Sequence, residues 1–523
     1  MVAQLRAGLG ADRVVMQRRL FTWLPALLAG LVAFTLVLTV TDPPGPGLDP
    51  DALQYLGAAA SVAASGEYNV PMAAWASADS TEPLTHFPPG YPTALAVPVR
   101  LGMEPAQAAR LVDATAAFVM FSTVVLLVGM ATSPIAGTAF GIALFGMTSM
   151  YTAHASVLSE PLYLACMMLV LAAMVFAPDR PLRAGIPAAV AVMTRYAGLS
   201  IVGAIALWAL AQPGRWTDRM RRAAIAVAPA VALQGIWVLR TRAVAQMTDI
   251  RKIAIYGNWA KSLAQSGLTF MTWLVPDPAT DTEPLAHRAL LAVAAFVALA
   301  TLTAIGLWHM RRMASNAGKE KPFAPRLVQA AALLLVCYAG LLGASRLFAD
   351  PGIPFDERIF APALLSLMIL GAIGLAFWWR GTRLVVARVA VAVALLSWWY
   401  AGVSVIRTSA HFAMTWGSDF AGQQWHDSQV LAWARREGTH GPLYSNWPAA
   451  VFFYLHRPSH ELPILKEARN LKAFGDTVRA RGGHVLLFNA KSVDYVANAL
   501  LIRNSGLDIL DELSDGWILG ADH

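Results

Sequence analysis

Residues 21–40 run for twenty positions without a charged side chain. As a helix, at about 1.5 Å per residue, such a run is about 30 Å long, the thickness of one hydrocarbon core. Comparable apolar stretches recur as far as residue 405, and only 14% of the 523 residues are charged. Soluble globular chains carry about 25%. The chain therefore reads as an α-helical polytopic membrane protein. Arg6, Arg13, Arg18 and Arg19 precede the first run. A cleaved signal peptide competes, but the run is too long for an h-region and no small-residue cleavage site follows, so it is expected to stay as a first span.

Ten further spans are expected at 106–130, 134–150, 161–177, 184–197, 198–212, 223–240, 287–308, 327–345, 359–378 and 386–406, making about 11. Lys and Arg collect in cytoplasmic loops, which places the N-terminus in the cytoplasm and the loop 41–105 outside. Its acidic part, up to residue 90, holds Asp42, Asp49, Asp51, Glu67, Asp79 and Glu82 and no Lys or Arg. Alternate connections carry the basic clusters Arg180/Arg183, Arg215–Arg222, Arg311–Arg326 and Arg380–Arg388. If 184–197 and 198–212, joined at Gly198, were one helix, the far half of this topology would invert. The formal charge is +8, and only seven of the 40 basic residues are lysine. Because most of these charges flank apolar runs, membrane lipids are the expected partners and nucleic acid is not. Low lysine with abundant alanine and arginine suits a GC-rich genome and a bacterial cell envelope, with the chain in the inner (plasma) membrane. Cys166 and Cys337 both lie in apolar stretches; they make no disulfide framework or multi-cysteine metal site.

From about Arg407 the charge and polarity rise to those of a soluble domain. Short β-like runs (Pro442–Ser445, His484–Phe488, Gly516–Leu519) alternate with helical patterns (Ser428–Arg436, Leu471–Ala480, Val493–Ile502). That alternation predicts a small α/β domain over 407–523, which an odd number of spans places outside the cytoplasm, after a membrane domain over 1–406 that includes the first outer loop. Residues 316–325 read as a cytoplasmic linker, and no internal repeat is visible.

The first outer loop carries the clearest candidates for chemistry. Pro43, Pro44, Pro46 and Pro50 stop the first span. Asp51 and Tyr55, four apart, share one face of the helix that follows. Leu53, Leu56, Ala60 and Val62 give that helix an apolar surface suited to lie along a membrane. Asp49 before Pro50 suits an N-cap with proline at the first helical position. Basic residues that break the charge rule form a second set: Arg195 near a span end, Arg240, Arg242, Arg251, Lys252 and Lys261, then Arg346 and Arg358. Such charges need partners. A guanidinium fork suits phosphate; lipid head groups or the loop acids Asp249, Asp350 and Asp356 are the alternatives. Glu160 before Pro161 caps a span on dipole grounds alone, or joins His154 in orienting a substrate or the outer arginines. His86, in the run HFPPGYP that includes Tyr91, is equally open.

Taken together, Asp51-Ala-Leu-Gln-Tyr55, HFPPGYP (86–92), LSEPLY (158–163), TRYAGL (194–199), Trp237 with Arg240, and DERIFAP (356–362) resemble the GT-C superfamily of membrane glycosyltransferases. The resemblance is to bacterial relatives of protein O-mannosyltransferases and aminoarabinose transferases, and it covers the membrane part to about residue 406. It implies a polyprenyl-phosphate sugar donor and a hydroxyl acceptor on a glycan, lipid or protein. It makes Asp51 the catalytic base, with Asp49 a less well matched neighbour. Arg358 and Arg195, helped by Arg240, would hold the phosphate, and Tyr55, His86, Tyr91, His154 and Glu160 would support substrate. Some family members use two acids or a divalent cation, and Asp49 leaves that cofactor open, although no ligand set for a metal stands out here. Residues 447–458 offer aromatic rings for sugar, although a buried helix explains them more simply. The competing functions are a transporter of a lipid-linked or anionic solute, which matched halves would favour, and a non-catalytic scaffold.

Overall fold

The computed structural model describes residues 22–244, 259–276, 285–315, 323–348, 353–437, 441–463, 468–489 and 501–521. Arg6, Arg13, Arg18, Arg19, Asp249, Arg251, Lys252, Lys319, Lys321, Asp350, the side chain of Lys261 and most of the expected helix 493–502 lie outside the described residues.

The first span is helix α1 (Thr22–Val40). The loop after it holds α2 (Pro50–Ser65), three two-residue strands β1 (Asn69–Val70), β2 (Met72–Ala73) and β3 (Glu82–Pro83), and α3 (Gly90–Arg100). The apolar region continues with α4 (Pro105–Ala131), α5 (Pro134–Phe145), α6 (Thr148–His154), α7 (Glu160–Phe176), α8 (Pro181–Thr194), α9 (Leu199–Ala211) and α10 (Trp216–Val244). After these come α11 (Trp259–Leu274), α12 (Leu285–Ser315), α13 (Phe323–Phe348), α14 (Glu357–Gly381) and α15 (Val385–Trp416). The C-terminal part contains α16 (Gln423–His426), α17 (Gln429–Arg436), β4 (Leu443–Ser445), α18 (Pro448–Leu455), β5 (Ser459–Glu461), α19 (Ala468–Ala480), β6 (His484–Phe488), β7 (Asp508–Glu512) and β8 (Gly516–Gly520).

Among the described residues seven helices are long and apolar enough to cross a membrane: α1, α4, α10, α12, α13, α14 and α15. The protein is a multi-pass helical membrane protein with a small C-terminal α/β region. The count of eleven is not established. The expected span 134–150 is a bent pair, α5 and α6, meeting at 67°. Those at 161–177, 184–197 and 198–212 are helices of 17, 14 and 13 residues. Fourteen residues make about 21 Å of helix, short of a hydrocarbon core of about 30 Å. Residues 184–212 are not one helix: Arg195 is extended (φ −147°, ψ 139°) and a short 3₁₀ turn, Tyr196–Gly198, leads into α9. The last residues of the expected linker 316–325 already belong to α13.

The chain divides into two compact units. Unit 1 comprises residues 1–40 and 111–411; unit 2 comprises 41–110 and 412–523. This partition differs from a boundary at 406, because the first outer loop is built together with the C-terminal residues.

In unit 1, helices come together through small residues, as expected where lipid removes the hydrophobic drive between helices. A Cβ added at Gly306 of α12 would lie 1.7 Å from the Gly374 carbonyl oxygen of α14, and one at Gly185 of α8 would lie 2.3 Å from the Ala226 carbonyl of α10. Leu127, Leu171, Leu327, Leu365 and Ile369 fill the buried core between helices.

In unit 2, six strands form one sheet in the order β2-β5-β4-β6-β8-β7. The first four are parallel and the last two antiparallel to their neighbours. The runs read from the sequence at β4, β6 and β8 are strands, and α17 and α19 are helices. The edge strand β2 comes from the outer loop: Met72 pairs with Ser459 and Ala73 with His460. Trp75, from the same loop, meets Phe474 of α19 edge-on at 5.9 Å. The run 447–458 supplies α18, whose Pro448–Val451 is buried.

Two predictions follow from this packing. Gly306→Ala should destabilise the detergent-purified protein by about 1–3 kcal/mol through overpacking, read as a lower melting temperature. Gly235→Ala, on α10 with nothing within 4 Å of its Cβ, should be neutral or slightly stabilising; equal effects at the two sites would contradict this packing.

His460 is buried beside the Ala74 carbonyl, and burial pushes its imidazole below the ordinary 6.5, with Arg481 adding to the depression and Ala74 and Glu82 opposing it. The unfolded chain then takes up the proton first. The stability His460 confers is complete above pH 6.5 and falls as pH drops below it. Hydrogen exchange at β5, corrected for the intrinsic rate, should quicken between pH 7 and pH 5, and His460→Gln should flatten that dependence.

Candidate functional site

Unit 1 contains an ion-pair cluster built on Glu160. This residue opens α7 with Pro161 behind it, and its side chain is 2% exposed. An isolated carboxylate there would be costly, and two arginines meet it. Arg195 Nη1 lies 2.6 Å from one carboxylate oxygen and Arg358 Nε 2.9 Å from the other.

Local structure explains how both reach it. Arg195 stands at the extended break between α8 and α9, which frees its side chain from helical direction, and it also donates to Ser159 Oγ at 3.0 Å. Arg358 is in the first turn of α14. Asp356 caps that turn by accepting from the Ile359 amide at 2.9 Å. Two tyrosines fix the backbone nearby: Tyr163 donates to the Ala197 carbonyl at 3.4 Å, and Tyr338 donates to the carbonyl of Ile359.

Arg240, grouped with these arginines on sequence grounds, lies over the Trp237 ring at 4.8 Å. The Trp237 indole donates to the Tyr196 hydroxyl at 3.3 Å, linking this face of α10 to the residue after Arg195. His154 is buried. Its Nδ1 donates to the Met150 carbonyl at 2.8 Å, and its Nε2 has no hydrogen-bond partner.

Sequence reading missed Glu357 as a site residue. Its Oε1 accepts from Thr148 Oγ1 of α6 at 3.1 Å and from Thr272 Oγ1 of α11 at 2.8 Å. Ser149, next to Thr148, accepts from the Trp273 indole at 2.7 Å, and the Trp398 indole donates to the Trp273 carbonyl at 2.8 Å. Thus Asp356, Glu357 and Arg358 each fix a different contact at the start of α14. The available signal was three consecutive charges at the edge of an apolar run.

Unit 2 holds the acidic helix. Asp49 is the N-cap of α2: its carboxylate accepts from the Ala52 amide at 2.8 Å, with Pro50 at the first helical position. Asp51 lies in the first turn, half-buried. Tyr55, one turn on, is buried and packs on Phe87 at 4.8 Å and edge-on to Tyr91 at 5.1 Å, while the exposed His86 ring meets Phe87 at 4.7 Å. The two motifs of the loop thus meet, and Tyr55 and Tyr91 join α2 to α3 as core rings. A further acid, Asp419, enters this neighbourhood from the C-terminal part. Its backbone bridges Leu48, it adopts a left-handed conformation (φ 54°), and desolvation raises its carboxyl above the ordinary 3.8. Nothing in the sequence pattern links positions so far apart.

Among the described residues no group of three or more His, Cys, Asp or Glu is placed to hold a metal ion.

No protein-family model and no curated protein matches this sequence. Solved structures do match. ArnT from Cupriavidus metallidurans in the apo state matches at 13% identity, TM-score 0.49, over 98% of each chain. The Archaeoglobus fulgidus oligosaccharyltransferase, tethered with an acceptor peptide containing the NVT sequon, matches at 12% identity and TM-score 0.50, over 95% of this chain and 74% of that one. The archaeal oligosaccharyltransferase AglB from the same organism, in complex with an inhibitory peptide and a dolichol-phosphate, matches at 12% identity and TM-score 0.49. The match at TM-score 0.50 shows a fold shared with that oligosaccharyltransferase.

Glu160→Ala should strip both arginines of their buried partner and destabilise the protein by about 3–5 kcal/mol. Thermal unfolding in detergent reads this directly, and a wild-type melting temperature would show that the cluster bears no such load.

Proposed function

We propose that this protein is an inverting glycosyltransferase that moves a sugar from a polyprenyl-phosphate donor to a hydroxyl acceptor of the cell envelope. The acceptor is a glycan, lipid or protein, and the reaction takes place at the outer face of the plasma membrane. The observation that carries this is the convergence of Arg195 and Arg358 on one buried carboxylate, in a fold shared with an oligosaccharyltransferase. Two guanidinium groups held by a common counter-charge are oriented in advance, so little reorganisation is needed as phosphate charge grows in the transition state. A guanidinium can also present two parallel N–H donors to two phosphate oxygens.

In this reading Asp51 is the base. The acceptor oxygen attacks the anomeric carbon and its proton passes to the Asp51 carboxylate. The bond from that carbon to the phosphate oxygen breaks, and the lipid phosphate leaves with the electron pair. A phosphate is a good enough leaving group to need no acid, so one carboxylate suffices. Asp49, already engaged as a helix cap, serves by fixing the first turn that carries Asp51. Arg240, with Trp237 and Tyr196, supports the arginine pair from α10. His154 and His86 are assigned to substrate, and Glu160, Tyr55 and Tyr91 to holding the groups around them. In this reading the N-terminus is cytoplasmic, on the side where Lys and Arg collect, and the C-terminal residues are extracytoplasmic.

Lipids and glycans of a deletion strain, compared by mass spectrometry, should show an accumulated isoprenyl-phosphate sugar and an acceptor lacking one sugar. Wild-type protein should reverse both changes. Asp51→Asn should lower transfer by about 10²–10⁴-fold, the usual weight of a general base, with an unchanged melting temperature. Full complementation by Asp51→Asn would remove Asp51 from the chemistry, and uptake of a solute without sugar transfer would replace the enzyme with a transporter.

A further inference from the structure

Helix α11 presents hydroxyl groups on one side. Ser262, Thr269 and Thr272 stand at i, i+7 and i+10, within a narrow arc of a helix. Each grips a different point of the α13–α14 region. Ser262 Oγ accepts from Arg346 Nε at 3.0 Å, Thr269 donates to the Phe355 carbonyl at 2.6 Å, and Thr272 donates to Glu357 at 2.8 Å. In the last two contacts a hydroxyl donates a hydrogen bond to an oxygen acceptor. The first leaves a full positive charge facing a neutral oxygen.

Arg346 lies in the last turn of α13. Its Nη1 is buried and has no hydrogen-bond partner, and among the described residues it forms no ion pair. This sets it apart from Arg110, Arg195 and Arg358, each of which meets a carboxylate within 2.9 Å. Ser262 is 4% exposed, and its contact with the half-buried Arg346 is partly shielded from water. Snorkelling relieves a span-end arginine by carrying its head group into water, and for the half-buried Arg346 the buried Nη1 leaves that relief incomplete. A guanidinium so placed at the end of an apolar helix calls for an anion. The anions that abound at the edge of a hydrocarbon core are the phosphates of lipids, and the planar fork of arginine fits two phosphate oxygens.

We propose that Arg346, oriented by Ser262, binds the phosphate group of a lipid at the end of α13, at a point distinct from the Glu160 cluster. The chemistry is a lipid phosphate, supplied either by an isoprenyl phosphate or by a phospholipid head group. The inference goes beyond sugar transfer and stands whether or not Arg358 holds a donor.

The test uses the full-length protein in maltoside detergent, free of phospholipid. Native mass spectrometry measures retention of two probes, farnesyl phosphate and phosphatidylglycerol, for wild type, Arg346→Gln, Arg346→Lys, Ser262→Ala and Arg358→Gln. Thermal melting confirms that each variant is folded. Wild type should retain at least one probe, and Arg346→Gln should weaken it about tenfold or more, as loss of a charged hydrogen-bonding group does. Arg346→Lys should keep part of the affinity, since the charge survives and the fork does not. Ser262→Ala should weaken binding with the charge intact, and it decides the matter if Arg346→Gln does not fold. Preference for farnesyl phosphate identifies an isoprenyl ligand; preference for phosphatidylglycerol identifies a bilayer head group. Failure of wild type to retain either probe, or unchanged binding in folded Arg346→Gln, overturns the proposal. Loss in Arg358→Gln alone would leave the donor-phosphate role of Arg358 standing while removing this one.

Discussion

A carboxylate buried in an apolar helical bundle must be paired, because its desolvation costs several kcal/mol that only well-placed opposite charge can offset. Glu160 sets that constraint for unit 1. Meeting it draws in Arg195 and Arg358, more than 150 positions apart in the chain. Neither partner sits in mid-helix. Arg195 occupies an extended break and Arg358 a capped first turn. A mid-helix arginine is aimed by its helix, whereas residues at breaks and ends are free to be aimed by the charge they serve. The divided α8 and α9 therefore make sense as the means of delivering Arg195, and the Asp356 cap as the means of delivering Arg358.

The same helix ends carry a second layer of polar contacts. Glu357 holds Thr148 and Thr272, Trp273 reaches Ser149, and Trp398 reaches the Trp273 carbonyl. These bonds lie where water is scarce and an unmade bond is expensive. Glycine contacts such as Gly306 on Gly374 let helix backbones approach closely enough for packing to hold the bundle. Rigid placement of the arginine pair is thus a property of the whole end of the bundle, and α11 is the element that joins its parts.

Unit 2 solves a different problem. Asp49 and Pro50 start α2 locally, and Tyr55, Phe87 and Tyr91 pack that helix on its own loop. The loop also extends the C-terminal sheet by one strand, and the His460 ring reaches the Ala74 carbonyl across 386 positions. The acid helix is therefore carried by a sheet whose other strands come from the far end of the chain.

Much of this was legible in the residues themselves. Long uncharged runs gave the spans α1, α4, α10 and α12–α15, because hydrocarbon thickness fixes both their length and their composition. Asp49-Pro50 gave the start of α2, since a cap needs only its own neighbours. Short β-branched and aromatic runs gave β4, β6 and β8. What the sequence by itself determined was therefore local or one-dimensional: where helices begin, which are long, and which charges sit where they need partners. Only the tertiary structure decided who those partners are. It gave Glu160 to two arginines, set Arg240 over Trp237, made Glu357 a clamp, broke 134–150 into two bent helices, placed an extended Arg195 between α8 and α9, and built β2 into a distant sheet. The physical reason is that pairing of buried charges and strand edges depends on separation in space, which hydropathy and periodicity along the chain do not encode.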